Sequence, residues 1–172
     1  MATTGPQTTI AVFETDISPA TAAEILIKTD EKMVDATADS LVYYPYHVFG
    51  FDLHAEALLD EFDDRIYCGI DLCNDKEVFI DEVPNTMEQV VDEEAIVPPE
   101  TGIRDPEQTA RAYLMELARK ELRVGSPPDL TVVENRRIHR PFHVVTCETT
   151  TEQRLTYIVD AVTGDFHRVY LD

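Results

Sequence analysis

The tetrapeptide Pro-aromatic-His-Val occurs twice in the chain, at residues 45–48 and 141–144. A second match follows each copy: Arg-Ile leads to Ile-Asp within 65–71, and Arg-Leu leads to Val-Asp within 154–160. The spacing between the two matches is a few residues longer in the first half. Loops absorb such insertions because closure entropy rises slowly with length. We therefore interpret the pattern as an internal duplication.

Each half also begins with a helix signal. Ser18 and Asp105 are N-cap residue types, and each is followed by a proline, which suits the first helical position. Apolar residues at helical spacing extend the first helix to about residue 37 and the second to the Gly-Ser-Pro-Pro break at 125–128. The sequence therefore predicts one amphipathic helix in each half.

Runs of β-branched and aromatic residues predict strands after each helix. They lie at 41–51, 65–72, 77–81, 130–133, 137–148, 154–161 and 166–171. Residues 52–64 are typical of a short acidic helix or a hairpin, and Pro45 is expected to interrupt its strand or place it at an edge. We therefore expect an α+β fold of two similar helix-plus-antiparallel-sheet halves, or one pseudo-twofold domain made from them.

The composition divides the chain into four segments. Residues 1–17 are expected to be a flexible N-terminus or an edge strand, and 18–82 the first α+β repeat. The acidic, proline-containing stretch 83–104 is expected to be a linker, and 105–172 the second repeat.

The second half resembles a PepSY-type domain. Its helix and its proline-containing strand come in the same order, and residues 157–165, Tyr-Ile-Val-Asp-Ala-Val-Thr-Gly-Asp, are similar to the VDA-TG-D/E hairpin of that family. Domains of this family are generally non-catalytic binding or inhibitory modules, so the resemblance implies a binding role. The chain shows no signal peptide or membrane anchor, which argues against an extracytoplasmic protease inhibitor.

The net charge of −20, from 34 acidic and 14 basic residues, disfavours several partners. It repels the phosphates of nucleic acids and anionic lipid surfaces. No apolar stretch approaches the roughly 20 residues that a membrane helix needs. We therefore expect a cytoplasmic protein that binds neither nucleic acid nor membrane.

The acidic residues are spread through nearly every segment, and arginine outnumbers lysine. This balance resembles the proteins of salt-loving archaea, in which carboxylates stay hydrated while concentrated salt screens their repulsion. The alternative is an acidic surface that mimics nucleic acid or docks on a basic partner.

Several side chains are candidates for chemistry. His47 and His143 occupy equivalent positions, and with Cys68 or Cys147 they could hold zinc; the alternative is that each histidine only makes a hydrogen bond at a sheet edge. The cysteines are either nucleophiles or small buried hydrophobic residues.

Two further groups of residues are candidates. Asp71 and Asp160 could act as paired carboxylates, or each could cap its own turn. The basic area around Arg136, Arg140 and Arg168 could bind an anion or form internal salt bridges.

An aromatic surface is the candidate binding site. Its residues are Tyr44, Tyr46, His47, Phe49, Phe142 and His143. We expect a non-catalytic protein-interaction or regulatory module adapted to high salt, without a cofactor, whose partner is another protein or a second copy in a homodimer. The alternatives are a metal-dependent or thiol enzyme using His47, His143 and a cysteine, and a small-ligand sensor with a pocket between the halves.

Salt adaptation makes a direct prediction. Dialysis from molar potassium chloride into dilute buffer should unfold the chain, because the Debye length grows from about 3 Å at 1 M salt to about 30 Å at 0.01 M and the carboxylates then repel one another. Circular dichroism should show the loss of structure and its recovery when salt is restored. A cooperative fold that is indifferent to salt would contradict this interpretation.

Overall fold

The computed structural model describes residues 5–57, 59–100, 102, 104–122 and 126–170. These residues form β1 (Gln7–Phe13), α1 (Pro19–Thr29), β2 (Met33–Ala57), β3 (Asp60–Asp71), β4 (Lys76–Ile80), β5 (Thr86–Asp92), a short 3₁₀ turn (Glu93–Ala95), α2 (Pro106–Leu122), β6 (Asp129–Thr149), β7 (Arg154–Asp160) and β8 (Phe166–Val169). The expected starts of both helices are correct. Ser18 Oγ accepts a hydrogen bond from Thr21 N, and Asp105 Oδ1 accepts from Glu107 N.

The expected fold class is wrong. The chain is mostly β: 56% of the described residues lie in strands and 19% in helices, and the eight strands among them belong to one mixed sheet. The strand order is β4-β3-β2-β6-β1-β5, and β7 pairs with β6 and β8. The pairing of β1 with β6 is parallel, whereas β1–β5, β2–β3, β3–β4, β6–β7 and β7–β8 are antiparallel.

The reason for the error is that each helix buries its apolar face against strands of the opposite half of the sequence. The chain forms two compact units: one takes the residues up to Tyr44, Asn85–Val97 and those from His139 onward, and the other takes Pro45–Pro84 and Pro98–Ile138. Each unit therefore combines segments from both halves, and β2 and β6 each contribute to both units.

In the first unit, α1 packs on strands from the opposite half. Ala22 and Leu26 are fully buried in one cluster with Val145 and Val159, which belong to β6 and β7. A second cluster joins β1, β2 and β5 through Ile10, Val12, Tyr43 and Val91.

In the second unit, α2 likewise packs on strands from the first half. Ala110 and Leu114 share a buried cluster with Phe49, Phe51 and Ile70 of β2 and β3. Leu130, at the start of β6, completes this cluster.

Three other segments differ from the expectation. The first helix ends at Thr29, because Asp30 is extended and its Oδ1 accepts a hydrogen bond from Lys32 N, which turns the chain into β2. Residues 83–104, expected to be a linker, contain β5. β1 lies between β6 and β5, not at an edge.

The strand predictions around the prolines also need adjustment. β2 and β6 run through Pro45 and Pro141 without interruption, and 52–64 forms the β2–β3 hairpin, which is one of the two alternatives. Residues 1–4, 123–125 and 171, which the predictions included, lie outside the described residues. Neither α1 nor α2 is long and apolar enough to cross a membrane.

The packing of α1 predicts a contrast between neighbouring residues. Leu26→Ala should lower the free energy of unfolding by about 2–5 kcal/mol, because it leaves a cavity under the helix. Ile27 is 40% exposed, so Ile27→Ala should cost less than about 1.5 kcal/mol. Denaturant unfolding in molar potassium chloride measures both, and equal losses would contradict the packing.

Candidate functional site

Asp71 and Asp160 each cap their own hairpin turn in the same way. Asp71 Oδ1 accepts hydrogen bonds from Cys73 N at 2.9 Å and Asn74 N at 3.2 Å. Asp160 Oδ1 accepts from the backbone N–H groups two and three residues further on, at 2.8 Å and 3.3 Å. Of the two alternatives for these carboxylates, the structure therefore has the one in which each carboxylate caps its own turn.

The strands that lead into these turns share one register. Tyr46 lies opposite Asp71, and Phe142 lies opposite Asp160. Each turn contains one residue with positive φ, Asp75 at 50° and Gly164 at 84°. The two Pro-aromatic-His-Val segments therefore begin hairpins with the same geometry.

The second oxygens of the two carboxylates have different partners. Asp160 Oδ2 lies 2.7 Å from Arg140 Nη2 in a largely buried ion pair. Asp71 Oδ2 accepts from Asn74 Nδ2 at 2.8 Å and makes a longer contact of 3.4 Å with the Tyr46 hydroxyl. Asp160 is therefore bound to a charge, whereas the hydrogen-bond partners of Asp71 are neutral.

His47 and His143 belong to different units, and each has partners in its own unit. His47 Nε2 makes a very short contact with Asn135 Oδ1, and its ring stacks on Phe49. His143 is buried, and its Nε2 donates to the Ile17 carbonyl oxygen at 2.7 Å. Both rings therefore have local structural roles.

All three cysteines are unpaired thiols in unreactive surroundings. Burial raises the pKa of the Cys68 thiol to about 12 and that of Cys73 to about 11. Burial also raises the pKa of Cys147, and the charge of Asp35 adds to the shift. Because the thiolate is the nucleophile, these environments suppress thiol chemistry.

The described residues contain no group of three or more His, Cys, Asp or Glu side chains arranged to hold a metal ion. The basic area forms internal salt bridges in two places: Arg136 pairs with Glu134 at 3.0 Å, and Arg140 pairs with Asp160.

The β2–β3 hairpin carries an exposed row of charges. Arg65 pairs with Asp52 at 2.9 Å, and His54 Nδ1 lies 2.7 Å from Asp63. The hydrogen bond and charge of Asp63 raise the pKa of His54. Exposed pairs of this kind contribute little in water, so the row marks a solvated surface.

The six residues of the expected binding surface differ in burial. Phe49, Phe142 and His143 are buried, whereas Tyr44, Tyr46 and His47 are partly accessible. Tyr44 packs edge-on against Phe142 with ring centroids 4.8 Å apart. Much of this aromatic area therefore faces the interior.

Among the described residues of the terminal strands, the apolar side chain with the highest exposed fraction is on β5. β5 ends the strand order and pairs with β1 alone among the described strands, in a regular register from Gln7↔Asp92 to Phe13↔Thr86. Val90 is 60% exposed and Met87 is 49% exposed, whereas Val91 is buried against β1 and Tyr43.

The hydrogen bonds that flank β5 show which backbone groups face outward. Glu93 N donates to Pro6 O at 2.9 Å, and Asn85 O accepts from Glu14 N at 2.8 Å. Because antiparallel pairs alternate, the odd-numbered residues of β5 bond to β1. The N–H and C=O groups of the even-numbered residues point away from it: Thr86, Glu88, Val90 and Asp92.

Sequence reasoning missed β5 because acidic residues and prolines surround it. The available signal was Val90-Val91, preceded by Thr86 and Met87, which is a short run of strand formers. Comparison with protein-family models, curated proteins and solved structures finds no match for this chain. The PepSY-type resemblance stays a prediction, and the mostly-β fold fits it poorly.

The two turn aspartates should respond differently to removal of their charge. Asparagine keeps an oxygen for the turn, so Asp71→Asn should cost less than about 1.5 kcal/mol, since Asn74 can rotate its amide to compensate. Asp160→Asn also removes the ion pair with Arg140 and should cost about 2–4 kcal/mol. Unfolding curves of the two variants in the same salt measure the difference, and equal costs would contradict the assignment.

Thiol labelling tests the buried cysteines. The pKa of Cys73 is about two pH units above its ordinary value of 9.0, so its thiolate fraction at pH 8 is lower by about a hundredfold. A disulfide reagent should therefore label the native chain slowly and all three thiols rapidly after unfolding. Fast labelling of any cysteine in the folded chain would contradict these environments.

Proposed function

We propose that this protein is a non-catalytic interaction module that takes up a strand of its partner along the open edge of β5. In this mode, main-chain hydrogen bonds supply affinity and neighbouring side chains supply specificity. The observation that carries the proposal is the regular edge of β5, which contains no proline, lysine or bulge.

Natural sheets usually protect their edges with short strands, prolines, bulges or lysines. β5 has seven residues and contains no proline, lysine or arginine, and all seven residues keep register with β1. The terminal strands β4 and β8 are shorter, with five and four residues, and carry Lys76 and Arg168. Among the described strands, β5 is therefore the best template for an added strand.

The positions of the candidate catalytic groups support a non-catalytic role. Asp71 and Asp160 cap turns, His143 bonds to a backbone carbonyl, and the pKa of every thiol is raised. Each group is thus used by the fold itself.

The proposal includes a salt-rich cytoplasm as the working environment. The charge of −20 supports it, because concentrated salt is needed to screen that repulsion. Three unpaired thiols are typical of a reducing compartment.

Crosslinking in the cells that make the protein tests the edge whatever the identity of the partner. A carboxyl-selective crosslinker should join a partner strand to this chain at Glu88, Asp92 or Glu93, as mapped by mass spectrometry. Val90→Glu should reduce the yield at these three positions at least about tenfold, because it places a further hydrated negative charge on the edge between Glu88 and Asp92.

Val34→Glu is the matched control. Val34 is 59% exposed, close to Val90 at 60%, but lies on β2. Its variant should crosslink like the natural chain. Crosslinks that map away from β5, or equal yields from the two glutamate variants, would overturn the proposal.

A further inference from the structure

We infer that the partner strand is β5 of a second copy of this chain, paired antiparallel in a register centred on Gln89. This inference rests on the proposed strand-addition function and names its partner. It follows from which backbone groups of β5 face outward and from the order of its side chains.

The positions of the outward-facing backbone groups restrict the register of the strand pair. Outward N–H and C=O groups belong to the even-numbered residues, so a symmetric pair must place even residues opposite even residues. A twofold axis at Gln89 does this: Glu88 lies opposite Val90 of the second copy, and Thr86 lies opposite Asp92 of the second copy. All four outward residues are used, which allows about eight inter-strand hydrogen bonds.

The charged side chains of β5 favour this register over the other registers that place even residues opposite even residues. An axis at Glu88 would place that carboxylate opposite its own copy, and an axis at Val90 would place Glu88 opposite Asp92 of the second copy. Like charges directly opposite each other destabilise a strand pair. An axis at Met87 or Val91 moves the pairing off one end of the strand, so fewer of the four outward residues are used. With the axis at Gln89, no two carboxylates of β5 face each other.

Salt concentration should directly control the binding of a second copy, because both chains are strongly acidic. Two chains of charge −20 repel each other, and this repulsion is screened only in concentrated salt. Association should therefore tighten as potassium chloride rises, whereas binding to a basic partner would weaken.

Analytical ultracentrifugation of the full chain tests the inference. In molar potassium chloride the natural chain should sediment as a dimer over about a hundredfold range of concentration. Val90→Glu should raise the dissociation constant at least about tenfold, because it brings a second carboxylate directly opposite Glu88 of the other copy, and Val34→Glu should leave it unchanged. Circular dichroism verifies that both variants remain folded.

Cysteine crosslinking tests the register itself. Gln89 would lie opposite its own copy at a position where Cα atoms are about 4.5 Å apart, within the roughly 4.4–6.8 Å that a disulfide spans. In a Cys73→Ser background, Gln89→Cys should form a disulfide-linked dimer when oxidised by copper phenanthroline and oxygen. Glu88→Cys is the matched control and should link poorly, because its own copy is displaced diagonally.

The possible results distinguish failure of this inference from failure of the proposed strand-addition function on which it rests. A chain that stays monomeric in molar salt, while in-cell crosslinks on β5 lead to a different protein, overturns the second-copy inference and leaves strand addition standing. A dimer that Val90→Glu does not weaken, or equal disulfide formation by the two cysteine variants, also overturns it. In-cell crosslinks that avoid β5 overturn both.

Discussion

The fold depends on the packing of each helix against strands from the opposite half of the sequence. Leu26 of α1 is buried with Val145 and Val159, and Leu114 of α2 is buried with Phe49 and Ile70. Neither helix can therefore bury its apolar face within its own half alone. The long strands β2 and β6 are a consequence, because each supplies residues to both compact units. Folding must bring together residues that are far apart in sequence, which costs loop-closure entropy before any contact repays it.

The features that could be predicted from the sequence are those that neighbouring residues determine. The helix starts at Ser18 and Asp105 and the turns at Asp71 and Asp160 each follow from a side chain that bonds to backbone two or three residues away. The end of α1 and the strand β5 could not be predicted in this way. Residues 33–37 continue the helical pattern but lie in β2, and residues 86–92 acquire their strand partner from β1, about eighty positions earlier. In both cases tertiary pairing overrides the local preference.

The same distinction explains the candidate site. The candidate histidines, cysteines and aspartates can be recognised in a sequence by their chemistry, yet in this fold they bond to neighbouring backbone or side-chain groups or are at least partly buried. The edge of β5 has no chemical signature, since its recognition groups are main-chain N–H and C=O. Only the strand order shows that it terminates the sheet, and only the hydrogen bonds at Glu93 and Asn85 show which residues face outward. The repeated Pro-aromatic-His-Val segments thus mark hairpins of equal register, and the proposed partner surface lies outside them.

Acidic residues protect the edge of β5 in a way that depends on salt. Glu88 and Asp92 lie on the strand, and Glu93 and Glu94 follow it, so in dilute solution their charges would repel any acidic chain that approached. Concentrated salt screens charges separated by more than about 3 Å, which removes this long-range protection in the conditions where such a chain is expected to fold. Discrimination must then come from short-range terms. These are the match between the outward-facing backbone groups of the two strands and the loss of hydration when two carboxylates are brought directly opposite each other. In concentrated salt such a surface therefore specifies its partner by the register of the strand pair, because long-range electrostatic attraction and repulsion are screened.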